Sequence, residues 1–169
     1  MRVAFEVLGS QHDRATFSCG QPDLDVWFRQ RAGQDQRRNV ARVFVATDDE
    51  LGVVGFYSLG AFTLTLTDLP AEAARTLPRY DAIPAALIGR LARDQRVRGK
   101  GVGELLLADA IGRILDAART LAVFAILVDA KDAPAARFYA EFGFRPFPNR
   151  PERMFLLTST AEAADRQVT

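Results

Sequence analysis

Residues 88–107 read IGRLARDQRVRGKGVGELLL, and this stretch decides the fold. It opens as an apolar segment and passes through a basic turn with glycines at alternate positions (Gly99, Gly101, Gly103). It closes in an apolar pattern of helical period. A strand, a glycine-rich turn and a helix in that order leave the first helical amides unbonded at the positive end of the helix dipole. A phosphate suits that position. Glycine at 101 and 103 removes side chains where a pyrophosphate would approach the main chain, and Arg98 and Lys100 add positive charge.

Two rival phosphate motifs fail here. The dinucleotide pattern G-x-G-x-x-G, begun at Gly99, requires a small residue at 104, and Glu104 stands there. No G-x-x-x-x-G-K-[ST] run exists. Taken as an isolated string, R-x-x-G-x-G also admits a plainer reading, a glycine-rich turn that caps a helix.

The surroundings narrow the function class. At 169 residues the chain is expected to form one domain over 1–160, followed by a polar, frayed tail over 161–169. Lys+Arg number 22 against 21 Asp+Glu, so no global field announces a nucleic-acid partner. The basic residues are nearly all arginine and cluster at 29–42 and 90–100. Arginine forks suit phosphate oxygens, although an arginine bias also follows from a GC-rich genome. One cysteine, Cys19, excludes an internal disulfide and a Cys-rich metal site. One histidine, His12, argues against a zinc site or a Ser-His-Asp triad, so no metal is expected. The opening MRVAFEVLGSQHD lacks the apolar run of a signal peptide, and no segment approaches the ~20 apolar residues of a membrane span. A cytoplasmic protein with no membrane partner is the expectation.

Outward from the opening stretch, Arg2–Leu8 reads as a strand and Pro22 with Asp23 as a helix start. Leu24, Trp27, Phe28 and Ala32 form the apolar face of a helix that runs into a basic loop. Val43–Ala46 and Val53–Leu66 read as strands joined by a turn at Asp48–Glu50, with Gly55 and Gly60 as bulge candidates. A short helix is expected within Leu69–Leu77, an irregular crossover over Pro78–Pro84 and a strand over Ala85–Ala92. Gly103–Ala118 is helical, with Leu106, Ala110, Ile114 and Ala117–Ala118 as its buried stripe. Val123–Val128 is continuously apolar, the signature of a strand buried on both faces. Asp132–Phe142 is a helix stopped at Gly143, and Phe144–Phe147 and Arg153–Thr158 are short strands. The fold class is α/β (α+β), with an antiparallel first half and a right-handed β-α-β unit over 85–128.

The segment LIGRLARDQRVRGKGVGELLLADAI (87–111), followed by DAPAARFYAEFGFRPFP (132–148), resembles the GNAT family of acetyl-CoA-dependent N-acetyltransferases. The resemblance implies a mixed central sheet of about six or seven strands with a splayed parallel pair, flanked by helices. It implies that Leu91, Ala92 and Arg93 offer main-chain groups to the pantetheine arm. It also implies that Arg98, Gly99, Lys100, Gly101, Val102 and Gly103 bind the pyrophosphate, and that Tyr139 lies near the thioester. In the first half, FSCGQPDLDVWFRQRAGQDQRRNVARVFVA (17–46), VVGFYSLGAF (53–62) and IPAALIGRLARD (83–94) resemble the GNAT toxins of bacterial toxin–antitoxin modules. Those enzymes acetylate the α-amine of aminoacyl-tRNA and block translation. The implied partners are aminoacyl-tRNA, a small ribbon-helix-helix antitoxin and a second copy of the chain in a homodimer. Two departures stand out: Arg93 replaces a common aliphatic residue, and Arg98 replaces a usual glutamine.

The chemistry can be argued beside the resemblance. A free α-amine has a pKa of ~7.7, and an adjacent ester lowers it, so a strong general base is not required. Tyr139 is the candidate general acid for the departing thiolate, and a main-chain N–H near Ala92 is the candidate donor to the thioester carbonyl. The alternative for Tyr139 is a core aromatic beside Phe138 and Phe142. Arg29, Arg31, Arg37, Arg38 and Arg42, with Arg90, form the candidate tRNA surface, for which a solvated helix face is the alternative. Trp27 and Cys19 are expected in the core, His12 on a surface loop and Glu104 beside the helix start. Competing activities are acetylation of a small amine or a protein N-terminus, or a non-catalytic protein that binds coenzyme A.

Overall fold

The computed structural model describes residues 1–168. Strands are β1 (Val3–Val7), β2 (Arg42–Asp48), β3 (Gly52–Leu64), β4 (Ile83–Arg93), β5 (Ala125–Asp129), β6 (Arg145–Phe147) and β7 (Arg150–Leu157). Helices are α1 (Pro22–Gln30), α2 (Ala32–Arg37), α3 (Ala71–Ala74), α4 (Val102–Ala117), α5 (Ala133–Glu141) and α6 (Thr158–Val168). The strands form a seven-stranded mixed sheet in the order β1-β2-β3-β4-β5-β7-β6. Pairing of β1 with β2 and of β2 with β3 is antiparallel, and pairing of β4 with β5 is parallel. The parallel ladder joins Ala85–Ile88 to Ala125–Val128 and stops there, while β4 continues to Arg93. β5 itself ends at Asp129, so the last part of β4 runs beyond its parallel partner.

Packing divides the chain into two compact units, Met1–Gly60 with Gly89–Ala110, and Ala61–Ile88 with Ile111 onward. In the first unit the aromatic face of α1 builds the core. Phe28 stacks on Phe56 at 4.1 Å, and Phe17 meets both rings edge-on at 4.9 and 5.5 Å. These three rings are essentially solvent-free, and burying each stabilises the fold by roughly 2–3 kcal/mol. The helix breaks at Arg31 (φ −120°) and resumes as α2, where the sequence suggests a loop. Asp48 shapes the β2–β3 turn by accepting the Glu50 and Leu51 amides, each at 2.9 Å. The ladder then slips by one residue between Ala46–Gly55 and Thr47–Val53, a bulge beside Gly55; Gly60 lies beyond the last pair of this ladder, Arg42–Leu59. A Cβ at Gly55 would lie 2.8 Å from Leu106 Cδ1 and 3.3 Å from the Ala92 carbonyl. Glycine there lets α4 and β4 approach.

In the second unit Ala125, Ile126, Leu127 and Val128 are fully buried, as a strand covered on both faces must be. Asp132 caps α5 by accepting the Ala135 amide at 2.8 Å, and Gly143 (φ +97°) ends it. Leu64, Leu69, Ile83, Leu127, Phe147 and Phe155 form the core of this unit. The stripe of α4 is shorter than the periodicity suggests: Leu106, Ala110 and Ile114 are buried, but Ala117 is exposed. The tail expected to fray from Ala161 is instead α6, anchored by buried Ala161. Its polar composition conceals an amphipathic helix with only one narrow apolar side; Thr169 lies outside the described residues.

Candidate active site

The glycine-rich turn lies in the first unit, between a 3-10 turn at Gln95–Val97 and the start of α4. Gly99 and Gly101 have φ of +76° and +78°, values that cost an L-residue with a side chain roughly 1–2 kcal/mol. Two left-handed glycines one residue apart, in a turn that leads into a helix, are the conformation in which successive amides can form an anion-binding nest. Among the described residues no backbone carbonyl accepts the amides of Gly99, Gly101, Val102, Gly103 or Glu104, whereas Leu105 donates to the Gly101 carbonyl at 3.2 Å. These unspent donors, with exposed Arg98 and Lys100 beside them, fit the pyrophosphate of coenzyme A. The Val102 side chain is fully buried in the core, so its contribution to the turn is its amide alone. Leu91 and Arg93 are half-buried on β4, and Ala92 between them packs into the aromatic core.

Local sequence pattern does not reveal what holds this turn. Asp94 is 2 % exposed. Its carboxylate accepts the Ser18 amide at 3.2 Å, the Arg96 amide at 2.8 Å and the Arg96 guanidinium at 3.0 Å through both Nε and Nη2. Its own amide donates to the Val54 carbonyl at 2.8 Å, and the next amide, Gln95, to the Ser18 carbonyl at 2.9 Å. Arg96 reaches on to the carbonyls of Leu51 and Val53, each at 3.2 Å. One carboxylate thus ties the 17–20 loop and the start of β3 to the segment that enters the turn. Burial pushes the Asp94 carboxyl up, but the hydrogen bonds from Arg96 and Ser18 outweigh it and hold the group below its ordinary value. Ser18 also donates to Asp25, a second buried carboxylate, which takes the Cys19 amide at 2.8 Å.

Tyr139 lies on α5 in the second unit. It is 7 % exposed and packs edge-on against Phe138 at 5.3 Å and Phe144 at 5.8 Å. The Phe142 ring packs on Phe138. The side chain is therefore a core aromatic in its ring, but its hydroxyl donates to no protein group among the described residues. Burial first, and the nearby Asp129 charge second, push its pKa up to about 12. The phenol is thus fully protonated at neutral pH. Asp129 is itself held by Arg153, whose Nε and Nη2 donate to its two oxygens at 2.8 and 3.0 Å.

The candidate tRNA arginines all fall in the first unit, but they differ in kind. Arg31, Arg37 and Arg38 are exposed, and Arg42 donates to Asn39 at 3.1 Å. Arg29 donates to the Phe17 carbonyl at 2.5 Å. Arg90 is half-buried and lies 4.1 Å from the centroid of the Trp27 ring, whose indole N–H donates to Asp35. Cys19, expected in the core, is half-buried against its margin. His12, expected on the surface, has a side chain only 4 % exposed: Nδ1 accepts the Gly9 amide at 2.9 Å and Nε2 meets Glu6 at 2.7 Å. It clasps the turn after β1. No group of three or more metal-ligating side chains occurs among the described residues, and no helix there is long and apolar enough to cross a membrane.

Residues 39–146 match the acetyltransferase (GNAT) domain. A probable toxin named TacT from Sinorhizobium fredii (strain NBRC 101917 / NGR234) is 37 % identical over 159 residues, covering 89 % of this chain and 88 % of that one. A tRNA-acetylating toxin of Mycobacterium tuberculosis (strain ATCC 25618 / H37Rv) is 39 % identical over 151 residues, with 89 % of each chain covered. Among solved structures, AtaT complexed with acetyl-methionyl-tRNAfMet superposes with a TM-score of 0.88 at 25 % identity, over 97 % of this chain and 99 % of that one. A mixed sheet with a parallel β4–β5 pair, followed by a glycine-rich turn at a helix start, is what this kinship leads one to expect, and the chain belongs to the GNAT acetyltransferase family.

Proposed function

We propose that this protein is a toxin that transfers the acetyl group of acetyl-CoA to the α-amine of aminoacyl-tRNA, with residues 1–160 acting as one catalytic domain. The observation that carries the reading is the nest of unspent amides at Gly99–Glu104, taken with relatives of which one is named a tRNA-acetylating toxin.

In this reading the amides of the turn, with Arg98 and Lys100, hold the pyrophosphate, and the main chain of Leu91–Arg93 lines the pantetheine arm. An N–H near Ala92 donates to the thioester oxygen as negative charge develops there. The neutral α-amine forms the new N–C bond, the C–S bond breaks, and sulfur takes a proton from the Tyr139 hydroxyl while the nitrogen gives one up. A phenol held near pKa 12 is a weaker acid than a thiol of about 8.5, so tyrosinate does not accumulate. Its return proton comes from the attacking nitrogen, and the net products are amide and thiol. Arg29, Arg31, Arg37, Arg38, Arg42 and Arg90 supply phosphate contacts that position the tRNA without reading its sequence. A small ribbon-helix-helix antitoxin neutralises the enzyme, which acts in the cytoplasm as a homodimer.

Incubation with labelled acetyl-CoA and a total charged-tRNA pool tests this. The label is expected in the tRNA fraction, and Tyr139→Phe is expected to abolish its rapid appearance. Label confined to free amines or to protein N-termini would overturn the tRNA assignment in favour of those acceptors. Expression is expected to arrest growth, with relief by a neighbouring ribbon-helix-helix gene.

A further inference from the structure

Arg14 and Arg37 converge on one spot above Gly33. A Cβ at Gly33 would lie 3.3 Å from Nη1 of Arg37 and 3.7 Å from Nη2 of Arg14, so both guanidinium groups come within contact distance of this one position. Arg14 is braced from behind: its Nη1 donates to the Phe28 carbonyl at 2.6 Å, and its guanidinium carbon stands 5.7 Å from the Phe28 ring centroid. That leaves Nη2 for the spot over Gly33. Burial, and then the charge of Arg37, lower the proton affinity of Arg14.

Neither arginine forms an ion pair with a carboxylate among the described residues. The acidic residues nearest in sequence are committed elsewhere. Asp13 accepts the Ala15 amide at 2.9 Å, and Asp35 accepts the Trp27 indole N–H at 2.9 Å. Two uncompensated like charges repel, and a bound anion turns that repulsion into attraction. Guanidinium forks carry donors in the spacing of phosphate oxygens.

We propose that Arg14 and Arg37 form a clamp for one backbone phosphodiester of the tRNA, seated over Gly33. The proposal rests on the aminoacyl-tRNA reading above. It adds to the basic run at 29–42 a residue that lies outside that run.

The test measures binding of deacylated tRNA across a salt series, with the KM for acetyl-CoA determined in parallel. Arg37→Gln and Arg14→Gln are each expected to weaken binding about tenfold and to lower the salt slope by roughly 0.7–0.9. Gly33→Asp keeps both arginines but delivers a carboxylate between them, and it is expected to weaken binding at least as much. The KM for acetyl-CoA stays at the wild-type value in all three. Because Arg14 also braces Phe28, the decisive variants are Arg37→Gln and Gly33→Asp, each checked for native circular dichroism. Wild-type affinity and slope in those two variants overturn the clamp. Weakened binding in variants of a protein that binds tRNA yet acetylates none of it supports the clamp and overturns the functional reading instead.

Discussion

The glycine-rich turn of the first unit and the Tyr139 helix of the second solve opposite physical problems. As the proposed pyrophosphate site, the turn has to present many weak donors to a doubly charged ligand, and it is built from backbone amides, exposed cations and left-handed glycines. Its rigidity is borrowed from a buried carboxylate, Asp94, beneath it. Tyr139, the acid of the proposed mechanism, has one proton to present, and its ring is fixed by Phe138 and Phe144. In the proposed mechanism binding is thus distributed over a polar network, while chemistry is concentrated on a single atom in apolar surroundings. Mutations in the two regions should leave different kinetic signatures.

The largest expected effect is at the single atom. Tyr139→Phe keeps the ring packing and removes the proposed acid, so kcat should fall about 10²–10³-fold with the KM for acetyl-CoA unchanged. A rise in KM of the same size would erase the contrast between the regions. Asp94→Ala should act in the opposite sense. It strands the Ser18 and Arg96 amides and takes the carboxylate from the Arg96 guanidinium, which keeps the Leu51 and Val53 carbonyls; it should cost about 1–3 kcal/mol in chemical unfolding and raise the KM for acetyl-CoA more than it lowers kcat. Asp94→Asn, which keeps the acceptor oxygen for Ser18, should restore part of both.

The raised pKa of Tyr139 gives a smaller effect with a defined sign. Its unfolded pKa is 10.0 and its folded value about 12, so the unfolded chain loses the proton first as pH rises. Stability should therefore fall between pH 10 and 12 by roughly 2–3 kcal/mol from this group. The wild-type minus Tyr139→Phe difference in unfolding free energy should show that slope; a flat difference would place the hydroxyl in water. The smallest effect is at the turn. Gly101→Ala meets φ of +78° with only Glu104 Oε2 nearby, at 3.9 Å, so the cost is backbone strain of about 1 kcal/mol. The KM for acetyl-CoA should rise a few-fold with kcat at saturation unchanged.

What can be read from the sequence follows the same division. The nest, the buried run at Ala125–Val128, the Asp132 cap and the Gly143 stop are encoded by neighbours a few residues apart, and local pattern exposes them. Asp94 has no such signature, because Ser18 and Val54 reach it across 76 and 40 positions of chain. His12 reads as a loop residue because its partner Glu6 lies outside any helical or strand spacing. Arg29 and Arg90 read as free surface charge, yet a carbonyl and an indole ring engage them. Charge composition reports how many cations exist; tertiary packing decides which of them remain available. Arg14, isolated in sequence, reaches the same place as Arg37 only through the fold.

The functional assignment turns on the atom that receives the acetyl group. Mass spectrometry of the labelled tRNA before and after mild alkaline deacylation identifies that atom, because such treatment cleaves the aminoacyl ester but leaves an amide intact. Deacylation is expected to release all the label as Nα-acetyl amino acid and to leave the tRNA unlabelled. Label that stays with the polynucleotide, or that appears only on protein, would contradict the assignment.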